Sequence, residues 1–179
     1  MKAIKDPVLY FQDQVDQWEE QLHQESDADN RAVCTDWRDE AAALNAQFQR
    51  ILYAYQEQGT GLTLKSKHNY CVVLEDATEP GRFRYQIFDT TGFTGHVTRD
   101  TAEEVLLDAF RIGFHEIDTS DALERFSKTK EWKKGALIND LVRKVNCGQM
   151  SHKEANQQYE AGLAQIYATN QPNAAYAAQ

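Results

Sequence analysis

Long apolar runs are missing from this chain. No uninterrupted stretch approaches the roughly 18 residues that a bilayer span needs, so the sequence contains no candidate transmembrane helix. Cysteine is scarce: Cys34, Cys71 and Cys147 are an odd, widely spaced set without a CxxC pair. Reduced thiols in a cytoplasmic protein are expected, with no disulfide framework. Three prolines and nine glycines interrupt the pattern rarely, so long disordered regions are not expected outside the ends. Excess positive charge is also lacking. A net charge of −9 and a pI near 5.0 argue against an extended footprint for nucleic acid or anionic lipid. The opening Met-Lys-Ala-Ile-Lys-Asp-Pro leads into a polar helix, not an apolar segment, so no signal peptide is expected. GxSxG, P-loop and GxGxxG motifs are all absent.

What is present is centred on residues 70–97. Tyr70-Cys71-Val72-Val73-Leu74 is a continuous apolar run of strand length. Phe83, Tyr85 and Ile87 then alternate with Arg82, Arg84 and Gln86, the period of a half-buried strand. Glu79-Pro80-Gly81 between them is a turn, since Pro presets φ and Gly accepts φ > 0. Asp89-Thr90-Thr91-Gly92 is a second turn, leading to Phe93-Thr94-Gly95-His96-Val97. With Leu62-Thr63-Leu64-Lys65, turned through His68-Asn69, these segments predict an antiparallel meander of three to four strands. Leu62, Leu64, Tyr70, Val72, Leu74, Phe83, Tyr85, Ile87, Phe93 and Val97 are expected on its covered face. Lys65, Cys71, Val73, Arg82, Arg84, Gln86 and His96 are expected on the other.

Helices flank the meander. Asp6-Pro7 reads as a start signal, Asp as N-cap and Pro at the first helical position. Val8, Phe11, Val15, Trp18 and Leu22 follow at alternating spacings of three and four, a single apolar stripe. After the turn at 26–30, Val33, Trp37, Ala41, Leu44, Phe48, Ile51, Leu52 and Tyr55 form a second stripe that ends at Gly59-Thr60-Gly61. Two helices joined by a short loop predict an antiparallel hairpin. Downstream, Asp100-Thr101-Ala102-Glu103 reads as a capping box for a helix stopped at Gly113. Thr119-Ser120-Asp121 starts a short helix, and another runs from about Thr129 to Gly148. Ser151-His152-Lys153-Glu154 opens the last one.

The fold class expected is therefore α+β: an N-terminal helical hairpin, an antiparallel meander and C-terminal helices. The expected segments are 1–60 (acidic hairpin), 61–148 (sheet with covering helices), 149–168 (C-terminal helix) and 169–179 (flexible tail), in one compact domain. Eight Phe, eight Tyr and three Trp supply material for a core.

Charge is uneven along the chain. Residues 1–60 carry 12 acidic against 5 basic side chains, whereas 124–144 carries 7 basic against 3 acidic. Asp13, Asp16, Glu19, Glu20, Glu25, Asp27, Asp29, Asp36, Asp39 and Glu40 would project from two adjacent helices. Such an array can imitate the phosphate charge of a nucleic acid and occupy a basic channel.

Other chemistry is weaker. His68, Cys71, His96, His115 and His152 show none of the short spacings of zinc sites, and no cofactor motif is present. His115-Glu116-Ile117-Asp118 reads as a surface loop. Asp89-Thr90-Thr91-Gly92 departs from the Asp-Thr-Gly of aspartic proteases by an extra Thr, and a hairpin turn accounts for it. Cys71 near His68 and His96 is a candidate thiol nucleophile, against the plainer reading of a buried, inert thiol. Arg82, Arg84 and the 125–144 segment are candidate contacts to nucleic acid.

The segment from Glu75 through Pro80-Gly81-Arg82-Phe83-Arg84, with Phe88-Asp89, Gly92-Phe93, Gly95-His96 and the helix from Thr101 to Gly113, resembles small uncharacterised proteins carried by plasmids, integrative elements and phages. The resemblance spans roughly residues 68–148. It implies an accessory protein acting on host or competitor machinery, anti-CRISPR and anti-restriction inhibitors being the known examples. Taken together, the expectation is a non-enzymatic cytoplasmic protein, monomer or homodimer, that binds another protein through Asp13, Asp16, Glu19, Glu20, Asp36, Asp39 and Glu40, with Arg82 and Arg84 on the sheet.

Overall fold

A computed structural model describes residues 6–168; the C-terminal segment expected as a flexible tail, 169–179, lies outside the described residues. The fold is α+β. Its order is α1 (Tyr10–Gln24), α2 (Ala28–Gln58), β1 (Thr63–Lys65), β2 (Tyr70–Glu75), β3 (Phe83–Asp89), β4 (Gly92–Arg99), α3 (Ala102–Arg111), β5 (Glu116–Ile117), α4 (Ala122–Ser127), α5 (Lys130–Asn146) and α6 (His152–Ala168). The strands form one five-stranded antiparallel sheet in the order β4-β3-β2-β1-β5. The chain divides into two compact units, residues 6–87 with 96–118 and residues 88–95 with 119–168.

In the first unit, α1, α2 and α3 bury their apolar faces on the sheet. Phe11, Phe48 and Phe110, one from each helix, meet edge-on or tilted with ring centroids 5.2–5.6 Å apart. Such aromatic pairs contribute about 0.5–1.5 kcal/mol beyond the area they bury. Ile51, Leu62, Leu64, Val105, Leu106 and Leu107 complete the centre of this core.

The turns on either side of β3 and the stop of α3 are those the sequence marks. Arg82 N–H donates to the Glu79 carbonyl across Pro80-Gly81, with Gly81 at φ +84°, the geometry of a type II turn. Asp89 Oδ1 accepts from the backbone N–H and hydroxyl of Thr91, closing the β3–β4 turn. α3 ends in a Schellman motif, Gly113 N–H to the Phe110 carbonyl and Phe114 N–H to the Ala109 carbonyl.

Several expectations are corrected. Residues 71–73 face the opposite way from the sequence reading: Cys71 and Val73, expected on the polar face, are fully buried in the core. The register explains this. Lys65 pairs with Tyr70, Leu64 with Cys71 and Thr63 with Val72, and residues directly opposite share a face. The loop tip is Lys67-His68, closed by a hydrogen bond from Ser66 N–H to the Asn69 carbonyl, one residue earlier than expected. Any two-residue tip pairs even-numbered positions of β1 with odd-numbered positions of β2, so Leu64 falls opposite Cys71 and not on the same face as Val72.

The 115–118 segment is not only a loop. Glu116 and Ile117 pair with Lys65 and Leu64 as β5, and Lys65 Nζ lies 3.0 Å from Glu116 Oε2 across the pair. Helix α1 begins at Tyr10, not at Pro7; Asp6 Oδ1 instead accepts from Val8 N–H in the turn that leads into it. The capping box of α3 is shifted by one residue, with Thr101 as N-cap and Glu104 reaching back to its N–H.

In the second unit, Phe88 and Phe93 pack on Trp132, with Phe93–Trp132 centroids 5.1 Å apart. Phe93, expected on the covered face of the meander, is spent here. Gly135 of α5 lies against the carbonyl of Thr91, and Asn139 Nδ2 donates to the Phe93 carbonyl at 2.8 Å. Thr129 caps α5 and the Ser151–Glu154 capping box opens α6, both as the sequence indicates.

Candidate protein-interaction surface

The acidic residues of the N-terminal hairpin are positioned by an antiparallel pair of helices whose register is explicit in its contacts. Gln49 Nε2 donates to the Val8 carbonyl, Asn45 Nδ2 to Gln12 Oε1, and Trp18 packs at a tilt against Trp37. As the first residue number rises, its partner's falls, as antiparallel packing requires. The connection is stapled locally. Asp27 caps α2 by accepting from the N–H groups of Asp29 and Asn30. Glu25 Oε1 accepts from Ser26 and Asp27, while Arg31 Nη1 donates to the carbonyls of Leu22 and Glu25. Glu25 and Asp27 therefore hold the turn.

The remaining acids are presented outward. Asp13, Asp16, Glu19, Glu20, Asp36, Asp39 and Glu40 are all exposed. Asp39 pairs with its neighbour Arg38 at 2.6 Å. Asp16 and Glu20 accept from Gln12 and Gln24. Asp13, Glu19, Asp36 and Glu40 make no side-chain hydrogen bond or ion pair among the described residues. Asp36 and Glu40 stand one helical turn apart, a like-charge spacing that costs an isolated helix about 0.2–0.5 kcal/mol.

The hairpin also carries aromatic surface that the sequence reading assigned to the interior. Phe11 and Val15 of α1 and Cys34, Ala41 and Phe48 of α2 are buried. Val33 and Trp37, expected on the packed stripe, are 44% and 48% exposed. Trp37 stays partly open although Trp18 packs against it, the ring centroids being 4.6 Å apart with the planes tilted at 52°. The available sequence signal was Glu40, a carboxylate interrupting the apolar stripe between Trp37 and Leu44.

The two sheet arginines differ. Arg82 forms ion pairs with Glu79 and, at 2.9 Å, with Asp100. Arg84 is half-buried, and its Nε has no hydrogen-bond partner among the described residues. Among the described residues, three of the seven basic side chains of the 125–144 segment are in ion pairs: Lys128 pairs with Glu124, and Arg143 and Lys144 share Asp140, while Arg125 donates to the Ser120 carbonyl. Cys71 is sealed in the core, and burial pushes its thiol up to about 12, whereas His68 and His96 are exposed. Among the described residues, no group of three or more His, Cys, Asp or Glu is arranged to hold a metal ion. No helix among them is long and apolar enough to cross a membrane.

No family model, curated protein or solved structure matches the chain.

Proposed function

We propose that this chain is a non-enzymatic binding protein whose working surface is the α1–α2 hairpin and whose partner is a nucleic-acid-handling protein or complex with a basic channel. The observation carrying this reading is the set of exposed carboxylates on two antiparallel helices, four of which, Asp13, Glu19, Asp36 and Glu40, have no partner among the described residues. A carboxylate kept for stability normally has a cap, a cation or a donor beside it. Carboxylates held apart from cations leave a negative field that a basic groove can satisfy. An inhibitor of the kind carried by mobile elements would use that field to exclude DNA or RNA from its target.

The test is affinity capture with the full chain, wild type against a variant with Asp13, Glu19, Asp36 and Glu40 all changed to Lys. The expected result is a nucleic-acid-handling partner retained by the wild type, lost by the variant and released from the wild type by duplex DNA. A partner retained equally by both would overturn the reading.

A further inference from the structure

The two indoles of the hairpin and the carboxylate beside them form a hollow of a different kind from a charged patch. It lies between α1 and α2, has a volume of about 410 Å³ and is lined by Gln14, Trp18, Trp37, Glu40, Ala41 and Leu44. Trp18, Trp37, Ala41 and Leu44 form its apolar walls, Gln14 adds an amide, and among the described residues Glu40 is its one charged lining group and has no partner. Asp36 adds a second carboxylate one turn away on α2, also without a partner among the described residues.

We propose that this hollow receives an arginine side chain from the partner, the guanidinium lying on the open face of Trp37 with its N–H groups on Glu40. The chemistry selects that occupant. An indole face attracts a cation through its quadrupole, and Trp is the strongest such acceptor among the side chains. A guanidinium is planar and weakly hydrated, so it can stack on the ring and donate to a carboxylate at once; an ammonium does this less well. Phosphate or an acidic peptide would be repelled by Glu40 and Asp36. A purely apolar segment would leave the Glu40 carboxylate covered and unsatisfied. The site thus sits within the acidic hairpin as an anchor, with the flatter charged area around it. Buried aromatic and arginine anchors are where interface energy concentrates.

This inference rests on the reading of the hairpin as a protein-binding surface, and its test separates the two. The full-length protein is titrated with a short Gly-Arg repeat peptide and with its Gly-Lys counterpart, following tryptophan emission. Trp132, the third indole, is buried in the second unit and serves as a constant background. The expected result is saturable binding of the arginine peptide, tighter than that of the lysine peptide. Trp37→Leu, which leaves every charge in place, should weaken it roughly tenfold. Glu40→Gln, close to isosteric, should weaken it to a similar degree and serves as the readout if Trp37→Leu fails to fold. The double variant Asp16→Asn, Glu20→Gln removes two charges outside the hollow and should weaken it less than Glu40→Gln alone. Weakening that follows the number of charges removed, with Trp37→Leu and Glu40→Gln no worse than the control, overturns the pocket and leaves the acidic surface standing. No saturable binding of the arginine peptide also overturns the pocket, while the capture experiment continues to judge the surface.

Discussion

Leu64 lies directly opposite Cys71 across the β1–β2 pair, so the thiol faces the core beside the side chains of that strand. Burial pushes its pKa up to about 12. At pH 8 the thiolate fraction is then on the order of 10⁻⁴. In the native protein a mild thiol-exchange reagent should modify the exposed Cys147 rapidly and leave Cys71 and the buried Cys34 untouched until unfolding. Peptide mapping after brief labelling distinguishes the three positions. Native-state labelling of Cys71 at the rate of a free thiol would contradict the register that places it inside.

That same pair shows where the sequence was legible and where it was not. Features specified within a few residues could be read: the Pro80-Gly81 turn, the Asp89–Gly92 turn, the Gly113 and Gly148 stops and the Ser151–Glu154 capping box. Each is a local match between a residue type and a backbone geometry. Facing of residues 71–73 could not be read, because Tyr70–Leu74 is apolar at every position and carries no alternation. Only the two-residue tip at Lys67-His68 sets its parity. The two-residue β5 was missed because it exists only through pairing with β1. In the hairpin, the acids were visible as a charge run, but the Trp18–Trp37 hollow required the pairing of two helices. Both indoles fit core stripes equally well until that pairing exposed one of them.

Asp76 organises the loop between β2 and β3 and ties it to β4. Its carboxylate accepts from Thr78 N–H, the Thr78 hydroxyl, Glu79 N–H and the Thr98 hydroxyl. The Thr78 hydroxyl and N–H lead in holding its pKa well below the ordinary carboxylate range, with Thr98 next. A depressed folded-state pKa contributes stability that is present above the unfolded value of about 4 and is lost as pH falls below it toward the folded value. Asp76→Asn should therefore lower the urea midpoint at pH 7, with the gap to wild type narrowing from about pH 4 downward. A pH-independent gap would show that the charge is not what the four donors stabilise.

Gly135 permits the close approach of α5 to the β3–β4 turn. A Cβ there would overlap the Thr91 carbonyl oxygen and lie 2.8 Å from its carbon, both backbone atoms that cannot rotate away. Gly162 differs, since its Cβ would meet the end of the Leu137 side chain. Gly135→Ala should destabilise the second unit by about 1–3 kcal/mol or more, and Gly162→Ala by less. Thermal melts read through Trp132, which packs on Phe88 and Phe93 beside this contact, compare the two. Equal melting temperatures for Gly135→Ala and wild type would contradict the close approach.

Carboxylates that exist for recognition and not for folding should be stabilising to remove. Asp36 and Glu40 are like charges at i and i+4, neither having a partner among the described residues. Glu40→Lys replaces repulsion with an attraction in the favourable order, acid before base along the helix. The change should raise stability by several tenths of a kcal/mol at low ionic strength. Most of that gain should vanish at 1 M salt, where the Debye length falls to about 3 Å. Denaturant midpoints at the two ionic strengths measure both effects. The same substitution should weaken the binding assigned to the hairpin, so stability and binding would move in opposite directions. A Glu40→Lys protein less stable than wild type at low salt would instead mean that this carboxylate helps hold the two helices together, and the recognition role would lose its physical basis.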